Sequence, residues 1–309
     1  MGVPDPAPSP LEAPAWPAGP DLWLSAPHLG SIHGFNRAAA GQARPRNLSE
    51  RGPRSPLEQS PIDHSPLDLS AAREAALAAL GLSGARVARL DQVHGAEVLE
   101  ARAGLVGRAD GLVTREHDLA LVIESADCLA LLFEDASAGV IAAAHAGWRG
   151  TLAGVAASAV RAMQARGAAP ERIRVAIGPG LCRSCLEVGP EVRNAFLESG
   201  FPAGLFTEGP AELSCDESAS VLAPDWSVPL NPLSAAQAWP PQAKPARGGR
   251  GKWRLNLAAA NLFVLSAAGV PVGNVLAVNA CTRSPGFFSY RRDAGNTGRH
   301  WAVIARGRP

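Results

Sequence analysis

Three apolar runs of strand length crowd into residues 119–144: LALVIES (119–125), CLALLFE (128–134) and GVIAAA (139–144). Runs of this length, bounded by turn residues, read as β-strands. Further strands are expected in ARVARLDQV (85–93), ADGLVT (109–114), RIRVAIG (172–178), NVLAVNAC (274–281) and RHWAVIAR (299–306). Helices alternate with them. SAAREAALAALGL (70–82) has Ser70 as a cap and Gly81 as a stop. GTLAGVAASAVRAMQAR (150–166) ends at Gly167, and residues 187–200 are helical after Pro190, which suits a first turn. In 255–270, Leu257, Leu262 and Leu265 share one stripe. This mixture predicts an α/β or α+β domain with mixed sheets.

The 309 residues suffice for one large domain or two small ones. A hydrophobic content of 47% fits a globular protein with a sizeable core. The net charge of +1 gives no electrostatic footprint for nucleic acid, and no apolar run is long enough to span a bilayer. The first ten residues, MGVPDPAPSP, have neither a basic nor an apolar segment of the kind a secretory signal needs, so a cytoplasmic location is expected. Residues 1–20 read as a disordered proline-rich leader, and 21–309 as a single domain. Residues 209–251, rich in proline, alanine and serine without a period, read as a flexible insertion within it.

The five cysteines, at 128, 182, 185, 215 and 281, are odd in number and scattered, which suits a reducing compartment. Cys182 and Cys185 form a lone CxxC; without a second such pair they read as loop thiols. Three other positions carry more. His94 in DQVHG follows a strand, Cys128 in SADC lies between two apolar runs, and His145 opens HAGWRG where the run 139–144 ends. Two histidines and a cysteine match the ligands of an open catalytic zinc site, and spacings of 34 and 17 residues suit ligands converging from different strand ends. Singly, each has a plainer reading: a turn histidine, a core cysteine, a cap.

The segments DQVHG, RADGLVT, SADCLALLF, GVIAAAHAGWRGTLAGV, AIGP, EVGPEVRNAF, CTRSPGFFSYRRD and NTGRHWAVIA, spread over 85–200 and 252–306, resemble the polyphenol oxidase or laccase-like family. Its members are regarded as purine nucleoside phosphorylases, and one branch is called peptidoglycan editing factor. The resemblance implies an α/β/β/α sandwich with mixed sheets, acting as a monomer or weak dimer. It also implies zinc on His94, Cys128 and His145. The chain departs from the family at HGFNRAAAG (33–41), which lacks paired glycines. Leu186 replaces a usual tyrosine, and Asn256 a usual aspartate.

The activities implied are phosphorolysis of purine nucleosides and hydrolytic deamination of adenosine, with nucleoside and phosphate as small-molecule partners. Zinc lowers the pKa of its water and polarises oxygen. Deamination needs a proton-shuttling carboxylate, for which Asp127 and then Glu187 are candidates; Asp127 serves equally as an acceptor for loop amides. Phosphorolysis needs a phosphate site, for which Arg149, Arg291 and Arg292 are candidates. Trp148 could stack on a purine, and Phe287, Phe288 and Tyr290 could line the same pocket. Three rivals compete. A copper phenol oxidase is disfavoured by a supply of only seven histidines with no HxH pair. A Cys–His hydrolase or cell-wall precursor editing factor would use Cys128 as nucleophile with His145 or His94 as base. A non-catalytic binding protein is the third.

Overall fold

A computed structural model of the chain describes residues 23–24, 26, 29–36, 66–211, 251–278 and 280–307. The elements, in chain order, are β1 (Trp23–Leu24), β2 (Ile32–Asn36), α1 (Pro66–Ala79), β3 (Arg86–Asp91), β4 (Val98–Glu100), β5 (Gly104–Arg108), β6 (Gly111–Thr114) and β7 (Leu119–Ser125). There follow β8 (Leu129–Asp135), β9 (Val140–Ala146), α2 (Trp148–Leu152), α3 (Val155–Gln164), β10 (Arg174–Ile177), β11 (Glu187–Val188) and α4 (Pro190–Glu198). The last are β12 (Phe206–Glu208), β13 (Trp253–Leu255), α5 (Leu257–Ala267), β14 (Val275–Ala277) and β15 (His300–Ala305).

Two six-stranded mixed sheets stack face to face. One has the order β1-β2-β15-β7-β3-β5, the other β14-β10-β8-β9-β6-β4. The strand period of two assigns each side chain to a layer. Leu121 and Ile123 of β7, Ala302 and Ile304 of β15, Ala130 and Leu132 of β8, and Ile141 and Ala143 of β9 fill the space between the sheets. Their alternates point outward. Ala120, Val122, Trp301 and Val303 meet Ala76 and Leu77 of α1. Leu129, Leu131, Phe133, Val140, Ala142 and Ala144 meet α3, α4 and α5. The layers therefore run helix, sheet, sheet, helix, as the resemblance implied. This double coverage explains why β7, β8 and β9 are buried at every position. Alanines in β9 let α3 and the facing sheet approach closely from opposite sides. Each fully buried large side chain, such as Phe133 or Trp301, contributes about 1.5–3 kcal/mol by leaving water.

Several local expectations change. Ser70 lies inside α1, which begins at Pro66, so it is not the cap. The helix expected over 150–166 is two helices, because Gly154 adopts a left-handed conformation (φ 82°) that no uninterrupted α-helix contains. The strand expected over 274–281 narrows to β14. Short strands β4, β5 and the small sheet β11-β13-β12 were not anticipated. Residues 1–20 and 212–250 lie outside the described residues. β12 and β13 pair antiparallel and the Gly209 amide donates to the Lys252 carbonyl (2.8 Å), so residues 209 and 252 lie side by side. Among the described residues, no helix is long and apolar enough to cross a membrane.

Candidate functional site

His94, Cys128 and His145 meet. Their ligating atoms all lie within 4.8 Å of one another. His94 comes from the loop after β3 in one sheet, Cys128 from the turn carrying the chain from β7 to β8 in the other. His145 lies inside β9, paired with Ala130, rather than just beyond the strand as its place after GVIAAA suggested. Its parity matches Ile141 and Ala143, so the ring sits at the open end of the layer between the sheets. His145 is buried, Cys128 half-buried and His94 exposed, a gradient from core to solvent across one site.

Asp110 organises this cluster, and the sequence reading missed it. Its carboxylate is fully buried and accepts the backbone amides of Val93 (3.2 Å), His94 (2.9 Å) and Gly95 (2.6 Å). Successive amides turned toward one anion form a nest, which is why His94 tolerates a left-handed backbone (φ 63°). The same carboxylate lies 2.8 Å from Nδ1 of His145. An ionised carboxylate accepts there, so Nδ1 donates and Nε2 is left to face the cluster. One aspartate thus fixes both the loop carrying the first histidine and the ring of the second. Burial raises the Asp110 pKa, but His145 and the amide donors outweigh it and hold it below the ordinary value. The only hint in the sequence was an Asp–Gly pair, which reads as a turn.

Two further features shape the site. Gln92 pins the exit of β3 to the end of β7, donating to the Glu124 carbonyl (2.7 Å) and accepting its amide (2.8 Å). A Cβ on Gly147 would lie 2.8 Å from the Cys128 sulfur, so HAGWRG needs glycine for close approach to the cluster. Electrostatics couple the buried pair. Burial raises the Cys128 pKa, yet the adjoining His145 and His94 bring it down to about 6. Burial lowers that of His145, yet Cys128 and Asp110 push it up to about 9. Without metal the pair is a thiolate beside an imidazolium. This donor set suits a metal ion: one thiolate and two imidazole nitrogens, the Asp110 carboxylate behind one ring, and solvent access beside His94.

The other predicted residues divide. Asp127 (φ 86°) accepts the Thr282 hydroxyl on Oδ1 (2.7 Å) and the Arg291 amide on Oδ2 (2.6 Å), which brings the 281–292 segment to the edge of the cluster. Arg291 is exposed, with Nη1 on the Glu187 carbonyl (3.1 Å). Arg292 spends its guanidinium on the carbonyls of Thr282, Arg283, Ser284 and Phe287 and on Asp293, and so clamps that segment into a loop. Glu187 pairs with Lys252 (2.8 Å) and accepts the Ala211 amide, which holds its carboxyl below the usual range. Half-buried Trp148 packs on the core with the Arg149 guanidinium 4.2 Å above its ring. Phe287 and Phe288 are buried against His300, while Tyr290 is half exposed. Leu186 is core, and Asn256 caps α5 by accepting the Ala259 amide, a task an aspartate performs equally well.

The profile of the family described as "Multi-copper polyphenol oxidoreductase laccase" matches residues 61–220 and 210–307. The chain belongs to that family. It is 35% identical over 281 residues to a protein named purine nucleoside phosphorylase from Deinococcus radiodurans, covering 91% of each chain. It is 34% identical over 224 residues to one named adenosine deaminase RL5 from an unknown prokaryotic organism, covering 72% of this chain and 71% of that one. The crystal structure of YlmD from Geobacillus stearothermophilus superposes with a TM-score of 0.66 at 28% identity, covering 93% of this chain and 97% of that one. The family's description names several coppers, but the described histidines supply one cluster. His33 bonds the Ala26 amide and Ser31 carbonyl, His117 the Gly307 carbonyl, and His300 the Asn36 carbonyl and Phe288 backbone. Among the described histidines, only His94 and His145 converge.

Proposed function

We propose that this protein is a zinc-dependent purine nucleoside enzyme. In phosphorolysis a nucleoside and inorganic phosphate give the free purine and a pentose 1-phosphate; in deamination adenosine and water give inosine and ammonia. The observation that carries the reading is the His94–Cys128–His145 cluster, braced by Asp110 and open beside His94. Relatives named purine nucleoside phosphorylase and adenosine deaminase support it. The preferred nucleoside is of the adenosine, inosine or methylthioadenosine type.

Bound at these three residues, zinc would supply a Lewis acid and a water of depressed pKa. The chain's own residues do the rest. Asp110 keeps Nε2 of His145 directed at the site. Arg149, exposed and stacked on Trp148, presents a fork for phosphate or ribose oxygens, and Trp148 offers its remaining ring edge to the base. Arg291 is the second phosphate candidate, tethered by its amide to Asp127; Arg292 acts through the loop it clamps. Asp127, next to Cys128 in the chain, is the first carboxylate candidate for proton transfer, with the Thr282 hydroxyl on one oxygen and the Arg291 amide on the other. Glu187, ionised and paired to Lys252, suits accepting a proton rather than supplying one. The protein is read as cytoplasmic, a monomer or weak dimer, with small-molecule substrates and no nucleic-acid partner.

Incubation of the zinc-loaded protein with adenosine, inosine or methylthioadenosine, with and without phosphate, tests this. Phosphate-dependent release of adenine or hypoxanthine supports phosphorolysis, and ammonia without phosphate supports deamination. Release of neither from any substrate overturns both. A second reading is favoured by the Cys128–His145 ion pair, which is also the arrangement of a thiol hydrolase. A chelator separates the two, because a thiol nucleophile keeps its activity without metal.

A further inference from the structure

Cys182 and Cys185 do not stand alone: Cys281, 96 residues beyond Cys185, joins them, and the three sulfurs all lie within 4.8 Å of one another. The chain builds this cluster from two loops. One is a tight turn in which the amides of Cys185 and Leu186 both donate to the Cys182 carbonyl (3.0 Å each). The other is the start of the 281–292 segment, held alongside by a bridge between Gly180 and Cys281 and by the Thr282 amide on the Gly180 carbonyl (3.1 Å).

We propose that Cys182, Cys185 and Cys281 form a second metal site, a three-thiolate seat for a soft d10 cation of the zinc class, distinct from the His94–Cys128–His145 cluster. Two observations carry it. First, the sulfurs are already grouped three ways: tetrahedral zinc with Zn–S near 2.3 Å needs sulfurs about 3.8 Å apart, so closing onto an ion takes a movement of about 1 Å. A disulfide would use two of the three and leave the last beside it unused. Second, the backbone is turned to support anionic sulfur. The amides of Ser184 and Cys185 face the Cys182 sulfur, and those of Cys182 and Arg283 face the Cys281 sulfur, the first of these at 3.5 Å. Neutral packed thiols gain little from several donors; thiolates ligating a cation gain much. Cys185 and Cys281 are buried and Cys182 partly exposed, so the cluster meets solvent on the Cys182 side. Binding would release thiol protons to solvent and lock residues 180–186 to the 281–292 segment, whose Thr282 and Arg291 hold Asp127. The proposal rests on no part of the nucleoside reading.

Zinc content after loading and desalting tests it, in a Cys215→Ser background so that the thiolate count is unambiguous. The parent chain should hold about two zinc ions, Cys281→Ser about one, His145→Ala about one, and the double variant none. Cadmium titration of the parent chain needs no further substitution. Its sulfur-to-metal absorption should reach the intensity of four thiolates rather than the one that Cys128 alone supplies. Unchanged zinc content in Cys281→Ser, or one-thiolate intensity with cadmium, overturns the proposal. So does an unreduced intact mass lighter by a pair of hydrogens with the bond mapped to these cysteines, which would make the cluster a disulfide site.

Discussion

The two side-chain clusters share a size and differ in what stands behind them. Both gather three ligand atoms within 4.8 Å. Behind His145 stands a buried carboxylate that sets a tautomer and carries charge; toward the three sulfurs turn backbone amides. A carboxylate–imidazole–thiolate chain can hold and pass a proton, and its outer histidine is exposed to solvent. A sulfur trio backed by amides is suited to holding a cation. The contrast teaches that the surroundings of a ligand set, more than its geometry, separate a reactive site from a structural one.

The largest effect expected separates the clusters outright. His145→Ala or Cys128→Ser should reduce phosphate-dependent base release to background and remove the metal of that site, with circular dichroism unchanged. Cys281→Ser should leave kcat within a few-fold. If Cys281→Ser were equally inactive while folded, the division between a reactive and a holding cluster would fail. Next in size is Asp110→Asn. It preserves shape but removes the charge that fixes His145 and the 93–95 amides, so zinc affinity should fall about 10–100-fold by competition with a chromogenic chelator. A smaller change would mean that the carboxylate is not what distinguishes the two clusters.

Much of the first cluster was legible in the sequence, and almost none of the second. β7, β8 and β9 are apolar throughout because both faces are covered, so their runs stand out, and residues at their ends stand out with them. Cys128 and His145 were readable for that reason, and His94 from the strand before it. Asp110 was not, because the residue that organises a loop from 15–17 positions away leaves no local pattern. Cys281 was not, because a spacing rule examines neighbours and its partners lie 96 residues back. The break at Gly154 was hidden by an alanine-rich stretch whose helical character continues on both sides. The strands of the small sheet, two or three residues each, are too short to show a period.

Acidity sharpens the comparison in the metal-free protein. With its pKa near 6, Cys128 should keep its alkylation rate from alkaline pH down to about 6 and lose it below; the modified peptide is quantified by mass spectrometry. Stability follows from the signs. The depressed Cys128 pKa contributes stability that is complete above the unfolded thiol value, near 8.5, and is lost as pH falls through about 6. The raised His145 pKa contributes stability that is complete below the unfolded value, near 6.5, and is lost as pH rises through about 9. The two slopes oppose, since the pair holds one proton in both folded and unfolded chains across that interval. Urea midpoints of Cys128→Ala and His145→Ala relative to wild type should therefore be level between about pH 6.5 and 8.5 only when compared as the pair, the double variant against the parent. A steep dependence of that difference would show that the pair does not exchange its proton internally.

The smallest effect tests whether the clusters communicate. Cys281 is followed by Thr282, Cys128 is preceded by Asp127, and the Thr282 hydroxyl donates to Asp127 at 2.7 Å. Thr282 is fully buried, so Thr282→Val fills nearly the same space while leaving one carboxylate oxygen without its donor. The cost should be about 1.5–3 kcal/mol for a hydrogen bond to a charged group, and turnover should fall only a few-fold, because Arg291 still holds the other oxygen. The informative quantity is the coupling with Cys281→Ser in a double-mutant cycle read by urea unfolding. Independent clusters give additivity within about 0.5 kcal/mol, whereas a second metal acting through this bond gives an interaction energy above that limit. Additivity in zinc-loaded protein would leave the three-thiolate seat a purely local brace; coupling that disappears on chelation would make it a support for Asp127 and, through it, for the loop that carries Cys128.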